Sequence, residues 1–134
     1  MIDRLFTYGT LELPEVFEKV AGGSRRSAPA VLHGYERFLV RGECFPGIAE
    51  RHGESTRGTL YFDVDPAMLA RIDRFEGPQF TRQSVGVVTQ DGERLAAFVY
   101  TVAPEDLGDE SWDVRVFMER HLQEFLAGRS SWIE

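Results

Sequence analysis

Two runs rich in β-branched and aromatic residues, Gln83 to Gln90 and Glu93 to Thr101, flank the dipeptide Asp91-Gly92. That arrangement is a strong hairpin signal, because the turns that match strand twist need left-handed backbone, which glycine adopts freely. A hairpin does not stand alone in water, so the rest of the chain must supply a sheet for it to join. Three further strands are expected: Arg4 to Tyr8, Val31 to Arg41 with an interruption at Gly34, and Thr56 to Val64. Gly86 suggests a bulge in the first hairpin strand. Ser24 to Pro29 reads as loop, and so does Glu43 to Gly53, which Pro46, Gly47 and Gly53 punctuate.

Helices are fewer. Pro14 to Val20 is a short one, with Pro14 suited to the first helical position and Gly22 to the stop. A second opens at Asp65-Pro66, where Asp65 can cap. It carries Met68, Leu69, Ile72 and Phe75 on one face and ends at Gly77-Pro78. A third is expected from about Trp112 to Ala127, capped by Ser111 and stopped by Gly128, with Val114, Phe117, Met118, His121, Leu122, Phe125 and Leu126 in a continuous stripe. The 134 residues suffice for one core and not two. The order of elements points to a single α+β domain over residues 1–134, built on a curved or barrel-like sheet.

Composition narrows the function classes. A net charge of −7, with no basic block beyond Arg25-Arg26, disfavours nucleic acid and anionic membrane as partners. No apolar run is long enough to span a bilayer, and the N-terminus lacks a signal-peptide layout. The lone Cys44 excludes an internal disulfide and fits a reducing cytoplasm. His33, His52 and His121 lack metal-ligand spacing, so no metal site is expected. There is no phosphate loop, dinucleotide fingerprint or nucleophile elbow. The oligomeric state is not legible.

Two stretches carry chemistry. Leu5 to Leu11 is an apolar strand that stops at Gly9 and is followed by Thr10, a turn that can leave backbone N–H groups pointing one way as an anion cradle. The plain alternative is that Gly9 only turns the chain. Downstream, Asp73-Arg74-Phe75-Glu76-Gly77 places a carboxylate at a helix C-terminus. The unsatisfied carbonyls there disfavour an anion, so the pKa of Glu76 should rise and its basicity improve. The alternative for Glu76 is a solvated acid in a helix-ending turn. Arg82 could bind a substrate carboxylate or serve as an ordinary ion-pair residue.

Taken in order, several stretches resemble the γ-glutamylcyclotransferase superfamily, in its small bacterial AIG2-like branch. Phe6-Thr7-Tyr8-Gly9-Thr10-Leu11 is similar to the family's Tyr-Gly-Ser/Thr-Leu loop. Leu32-His33-Gly34-Tyr35 with Phe45-Pro46-Gly47-Ile48, and Arg57 to Val64, resemble its Gly-Tyr, aromatic-Pro and Gly-x-Leu-Tyr segments. Ile72-Asp73-Arg74-Phe75-Glu76-Gly77 followed by Phe80-Thr81-Arg82 resembles its Leu-Asp-x-aromatic-Glu-Gly…Tyr-x-Arg signature, with Phe80 where tyrosine is usual. Ala97-Phe98-Val99-Tyr100 fits the closing strand and adds Tyr100 to the substrate-binding candidates.

The resemblance implies a closed mixed β-barrel with helices around it. It also implies a cofactor-free reaction in which the α-amine of a γ-glutamyl compound attacks its own side-chain amide, releasing 5-oxoproline and an amine or amino acid. Glu76 would be the acid/base, and Tyr8, Gly9, Thr10 and Leu11 would hold the substrate. Two other functions fit the same residues: a non-catalytic binding protein for a γ-glutamyl-like metabolite, and an amide hydrolase in which Glu76 activates water.

Overall fold

The computed structural model describes residues 2–43, 45–110 and 112. Along the chain, β1 (Leu5–Thr7) leads through a 3-10 turn (Thr10–Glu12) into α1 (Pro14–Ala21). Then come β2 (Ser27–Leu39), β3 (Pro46–Tyr61), α2 (Pro66–Glu76), β4 (Thr81–Thr89) and β5 (Arg94–Thr101), with a last 3-10 turn at Pro104–Asp106. The strands close into a barrel in the order β1-β3-β2-β4-β5. Every pairing is antiparallel except β1 with β5, which run parallel and meet at Leu5 and Phe98. This is the α+β barrel that the sequence leads one to expect.

Strand alternation sorts the side chains into two cores. Phe6, Leu60, Ala97 and Val99 fill the barrel interior with Ala30, Leu32, Ile48 and Val87. Their neighbours Leu5, Tyr61 and Tyr100 point outward, where α1 and α2 cover them with Val16, Phe17, Met68, Leu69 and Ile72. Phe17 stacks on Tyr61 with ring centroids 3.9 Å apart. The local signals that open α2 are realised: the Asp65 carboxylate accepts from the Met68 N–H at 2.9 Å, and Pro66 occupies the first turn.

Three expectations need correcting. Both expected loops are partly strand: β2 starts at Ser27, and β3 starts at Pro46 and runs through Gly53. Non-local pairing overrides the local breakers, since Tyr35 to Leu39 pair with Glu50 to Pro46. Pro46 is tolerated as the first residue of its strand. Gly34 and Gly53, both left-handed with φ near +87 and +86, lie at the register shift between His33 and Tyr35, so the irregularity is a bulge inside a long strand pair. At Gly86 there is no bulge: β4 and β5 stay in register from Thr81↔Thr101 to Val88↔Arg94, and the turn glycine is Gly92. The third helix, with His121, falls outside the described residues except for Trp112, and so do Cys44 and Ser111.

Candidate active site

At the end of the barrel where β1 stops, five pieces of chain converge. The end of β1 and the turn after it supply Thr7, Tyr8, Gly9, Thr10 and Leu11. The β2–β3 connection and the first residue of β3 supply Phe45 and Pro46, the end of α2 supplies Phe75 and Glu76, the following loop supplies Gln79 and Phe80, and β5 supplies Tyr100. Together they enclose a cleft of about 580 Å³, its open mouth included.

The turn is built from main chain and held from behind. The Glu12 and Leu13 N–H groups close on the Gly9 and Thr10 carbonyls at 3.0 and 3.2 Å. The Gly9, Thr10 and Leu11 N–H groups stand at the start of that 3-10 turn, and none takes a backbone acceptor outside the helices and strands among the described residues. Side chains fix the loop elsewhere. The Tyr61 hydroxyl donates to the Leu11 carbonyl at 2.8 Å, and the Tyr8 hydroxyl spans to the Tyr100 carbonyl at 2.7 Å. Gly9 is required by a close approach: a Cβ there would lie 2.7 Å from Pro46 Cγ, tighter than real contacts allow. The proline ring cannot swing aside, so Gly9→Ala must move the turn or the wall facing it. We expect kcat/KM to fall about ten- to a hundredfold with the barrel retained, measured by steady-state kinetics beside a thermal melt.

Glu76 is the last residue of α2, half-buried, and borders the cleft. Its carboxyl is pushed up to about 8, first by burial and then by the neighbouring Asp73 carboxylate. The direction matches the sequence expectation, but the leading cause is desolvation rather than the helix terminus. Asp73, one helical turn earlier, accepts a 2.5 Å hydrogen bond from the Tyr100 hydroxyl. Burial, followed by that bond, keeps the Tyr100 phenol protonated far above its ordinary range. A group with proton affinity near neutrality can take a proton and return it within one turnover.

The structure thus brings Tyr8, Gly9, Thr10, Leu11, Glu76 and Tyr100 to one cleft. Arg82 is not among its walls. It stands in an adjoining groove with Asp73, Arg74 and Pro78, with Nε 3.6 Å from Asp73 Oδ1 and its guanidinium 4.7 Å over the Phe98 ring. Phe80 and Tyr100 border both spaces. His33 and His52 are exposed on β2 and β3 and do not line the cleft. No group of three or more potential metal ligands occurs among the described residues, and none of their helices is long and apolar enough to cross a membrane. Sequence reasoning missed Arg37, Glu12 and Tyr61, which support the turn from outside the cleft. Only Tyr61 had a signal, as the aromatic of the Gly-x-Leu-Tyr strand.

Comparison with known proteins bears on this geometry. The sequence profile of the family described as "Gamma-glutamyl cyclotransferase, AIG2-like" matches residues 5–115. AIG2-like protein D of Arabidopsis thaliana is 27% identical over 126 residues, which is 91% of this chain and 83% of that protein. A solution structure from Arabidopsis thaliana superposes with a TM-score of 0.72 at 27% identity, over 93% of this chain and 78% of the other. The crystal structure of an AIG2-like protein from Mus musculus gives 0.64 at 25% identity, over 84% and 88%.

Proposed function

Because the chain belongs to the AIG2-like γ-glutamyl cyclotransferase family, we propose that its cleft binds a small γ-glutamyl compound and cyclises it to 5-oxoproline. The observation that carries this reading is that Glu76, its carboxyl pushed up to about 8 by burial, borders the same cleft as a turn whose Gly9, Thr10 and Leu11 N–H groups take no loop or cap carbonyl among the described residues. The amides of Gly9, Thr10 and Leu11 hold the substrate α-carboxylate. Anchored there, the substrate folds so that its α-nitrogen meets its own γ-carbonyl carbon.

The α-ammonium must lose a proton before it attacks, and Glu76 takes it. The nitrogen lone pair then forms the new C–N bond, and the carbonyl electrons shift to oxygen. Collapse of that intermediate breaks the bond to the leaving nitrogen, to which Glu76 returns the proton, and the ring nitrogen sheds its second proton, which ends on the released amine as its ammonium. Atoms balance without water or a cofactor. Tyr8 and Tyr100 border the reacting volume as neutral phenols, and Tyr100 fixes Asp73 beside Glu76. Arg82 stands beside Asp73 in the adjoining groove, outside the cleft that would hold the carboxylate.

A panel of γ-glutamyl amino acids and γ-glutamylamines, followed by mass spectrometry, tests the reading. Release of 5-oxoproline with the free amine is expected from at least one member. Free glutamate would instead indicate hydrolysis, and binding without turnover would indicate a metabolite-binding protein.

A further inference from the structure

Arg37 lies on β2 and does not line the cleft, yet it reaches the backbone of the turn. Its Nη1 donates to the Tyr8 carbonyl at 2.6 Å, and lies 3.5 Å from Glu12 Oε2 and 3.4 Å from the Arg57 carbonyl. Trp112 lies to one side, its ring centroid 5.8 Å from the guanidinium carbon. Arg37 and Glu12 are both mostly covered, with side chains 26% and 18% exposed, so the charge acts at short range with little screening.

The peptide joining Tyr8 to Gly9 is trans and planar, so its carbonyl and its N–H point in opposite directions. A carbonyl drawn to a side chain outside the cleft therefore directs the Gly9 N–H the other way, and Gly9 itself borders the cleft. A cation on the oxygen also polarises the peptide and strengthens its N–H as a donor. Tyr61 anchors the far end of the turn instead: it holds the Leu11 carbonyl, whose peptide partner, the Glu12 N–H, is already bound to the Gly9 carbonyl.

We infer that Arg37 is a positioning residue for anion binding: by gripping the Tyr8 carbonyl from outside the cleft it aims the Gly9 N–H at the substrate carboxylate. This rests on the proposal that the turn binds that carboxylate. The grip is present in the ground state and the transition state alike, so it acts on affinity rather than on the chemical step.

The test uses Arg37→Met, which keeps the length and apolar stem but has no donor, and Arg37→Lys, which keeps charge and one donor group. Residual dipolar coupling of the Gly9 N–H bond, measured without ligand, reports its direction. Titration with 5-oxoproline and with L-glutamine reports carboxylate affinity. For Arg37→Met the expected results are a changed Gly9 coupling with most other couplings preserved, a Kd and KM raised about tenfold or more, and a kcat close to that of the parent. Arg37→Lys should recover part of the affinity.

An unchanged Gly9 coupling, or unchanged affinity in the methionine variant of a parent that binds the probes, overturns the role of Arg37 alone. A fall in kcat with KM unchanged also overturns it. A parent that binds neither probe removes the carboxylate reading of the turn and this inference with it. If Arg37→Met does not fold, the lysine variant decides: parental Gly9 coupling together with parental affinity overturns the proposal, and a shift in both supports it.

Discussion

Glu76→Gln is expected to lower kcat on a γ-glutamyl substrate roughly 100- to 10,000-fold, the usual range for loss of a general acid/base. Glutamine keeps the size and a hydrogen-bonding end but cannot exchange the proton. The pH profile carries the same assignment. In the unliganded protein burial pushes Glu76 up to about 8, so kcat/KM should rise with pH and level off above that value. A substrate ammonium beside the carboxyl favours its ionised form, so the kcat profile should rise at lower pH than the kcat/KM profile. In the glutamine variant this limb disappears.

Stability should move the opposite way. The folded chain holds the Glu76 proton up to about pH 8, whereas an unperturbed glutamate releases it near 4.5. Between those values the native state binds more protons than the unfolded state, so this group's contribution is greatest below pH 4.5 and is lost as pH rises through 8. Glutamine has no such dependence. The variant should therefore gain on the parent as pH increases, by about 1–2 kcal/mol above pH 8 once solvent screening at a half-buried site is allowed for. Glu12, pushed up to about 7 by burial against the opposing pull of Arg37, has the same sign but is present in both proteins and cancels. Melts of the two proteins from pH 5 to 9 check this. A carboxylate kept for structure alone would show the reverse, a variant less stable at high pH.

Gly58→Ala carries the largest expected cost to the fold. A Cβ at Gly58 would stand 2.0 Å from the Thr7 carbonyl oxygen and 2.8 Å from Phe6 Cζ. The first obstacle is backbone, in the strand that β3 pairs with at Phe6↔Leu60 and Thr7↔Thr59. Relief requires β1 to lift from β3, which disturbs the parallel β1–β5 closure and pulls on Tyr8, the next residue along. We expect a loss of about 3 kcal/mol or more, read as a Tm lower by about 10 °C. The activity of the fraction that remains folded should also fall, because Thr7 leads directly into the amide turn. A parental Tm would contradict the close approach.

How much of this was legible in the sequence follows from the range of the forces involved. The Asp65 cap, Pro66, the Gly77 stop and the Asp91-Gly92 turn act over a few residues, and each was read correctly. The long β2–β3 pair was not, because Pro46, Gly47 and Gly53 look like breakers until the partner strand is known. Gly86 erred in the other direction: it resembles a bulge and pairs regularly with Ala96. At the cleft, Glu76 and the Tyr8 to Leu11 turn stood out locally. Their sharing of one wall-to-wall space follows from barrel closure, which no local pattern encodes. The sequence leads one to expect the pKa of Glu76 to rise through the helix end, whereas burial dominates, and the cleft it borders is walled in part by residues far away in the chain, Tyr8 to Leu11, Pro46 and Tyr100. Arg37 was invisible for a related reason. The bulge at Gly34 resets which face of β2 each later side chain occupies, and nothing in Tyr35-Glu36-Arg37-Phe38 marks the third of them.

The most direct test of the central claim is turnover of a γ-glutamyl substrate in water enriched in oxygen-18, with the products read by mass spectrometry. Intramolecular attack uses no water, so the 5-oxoproline should be unlabelled and equal in amount to the amine released. Glutamate carrying one heavy oxygen as the initial product would show that water is the nucleophile and would contradict the account.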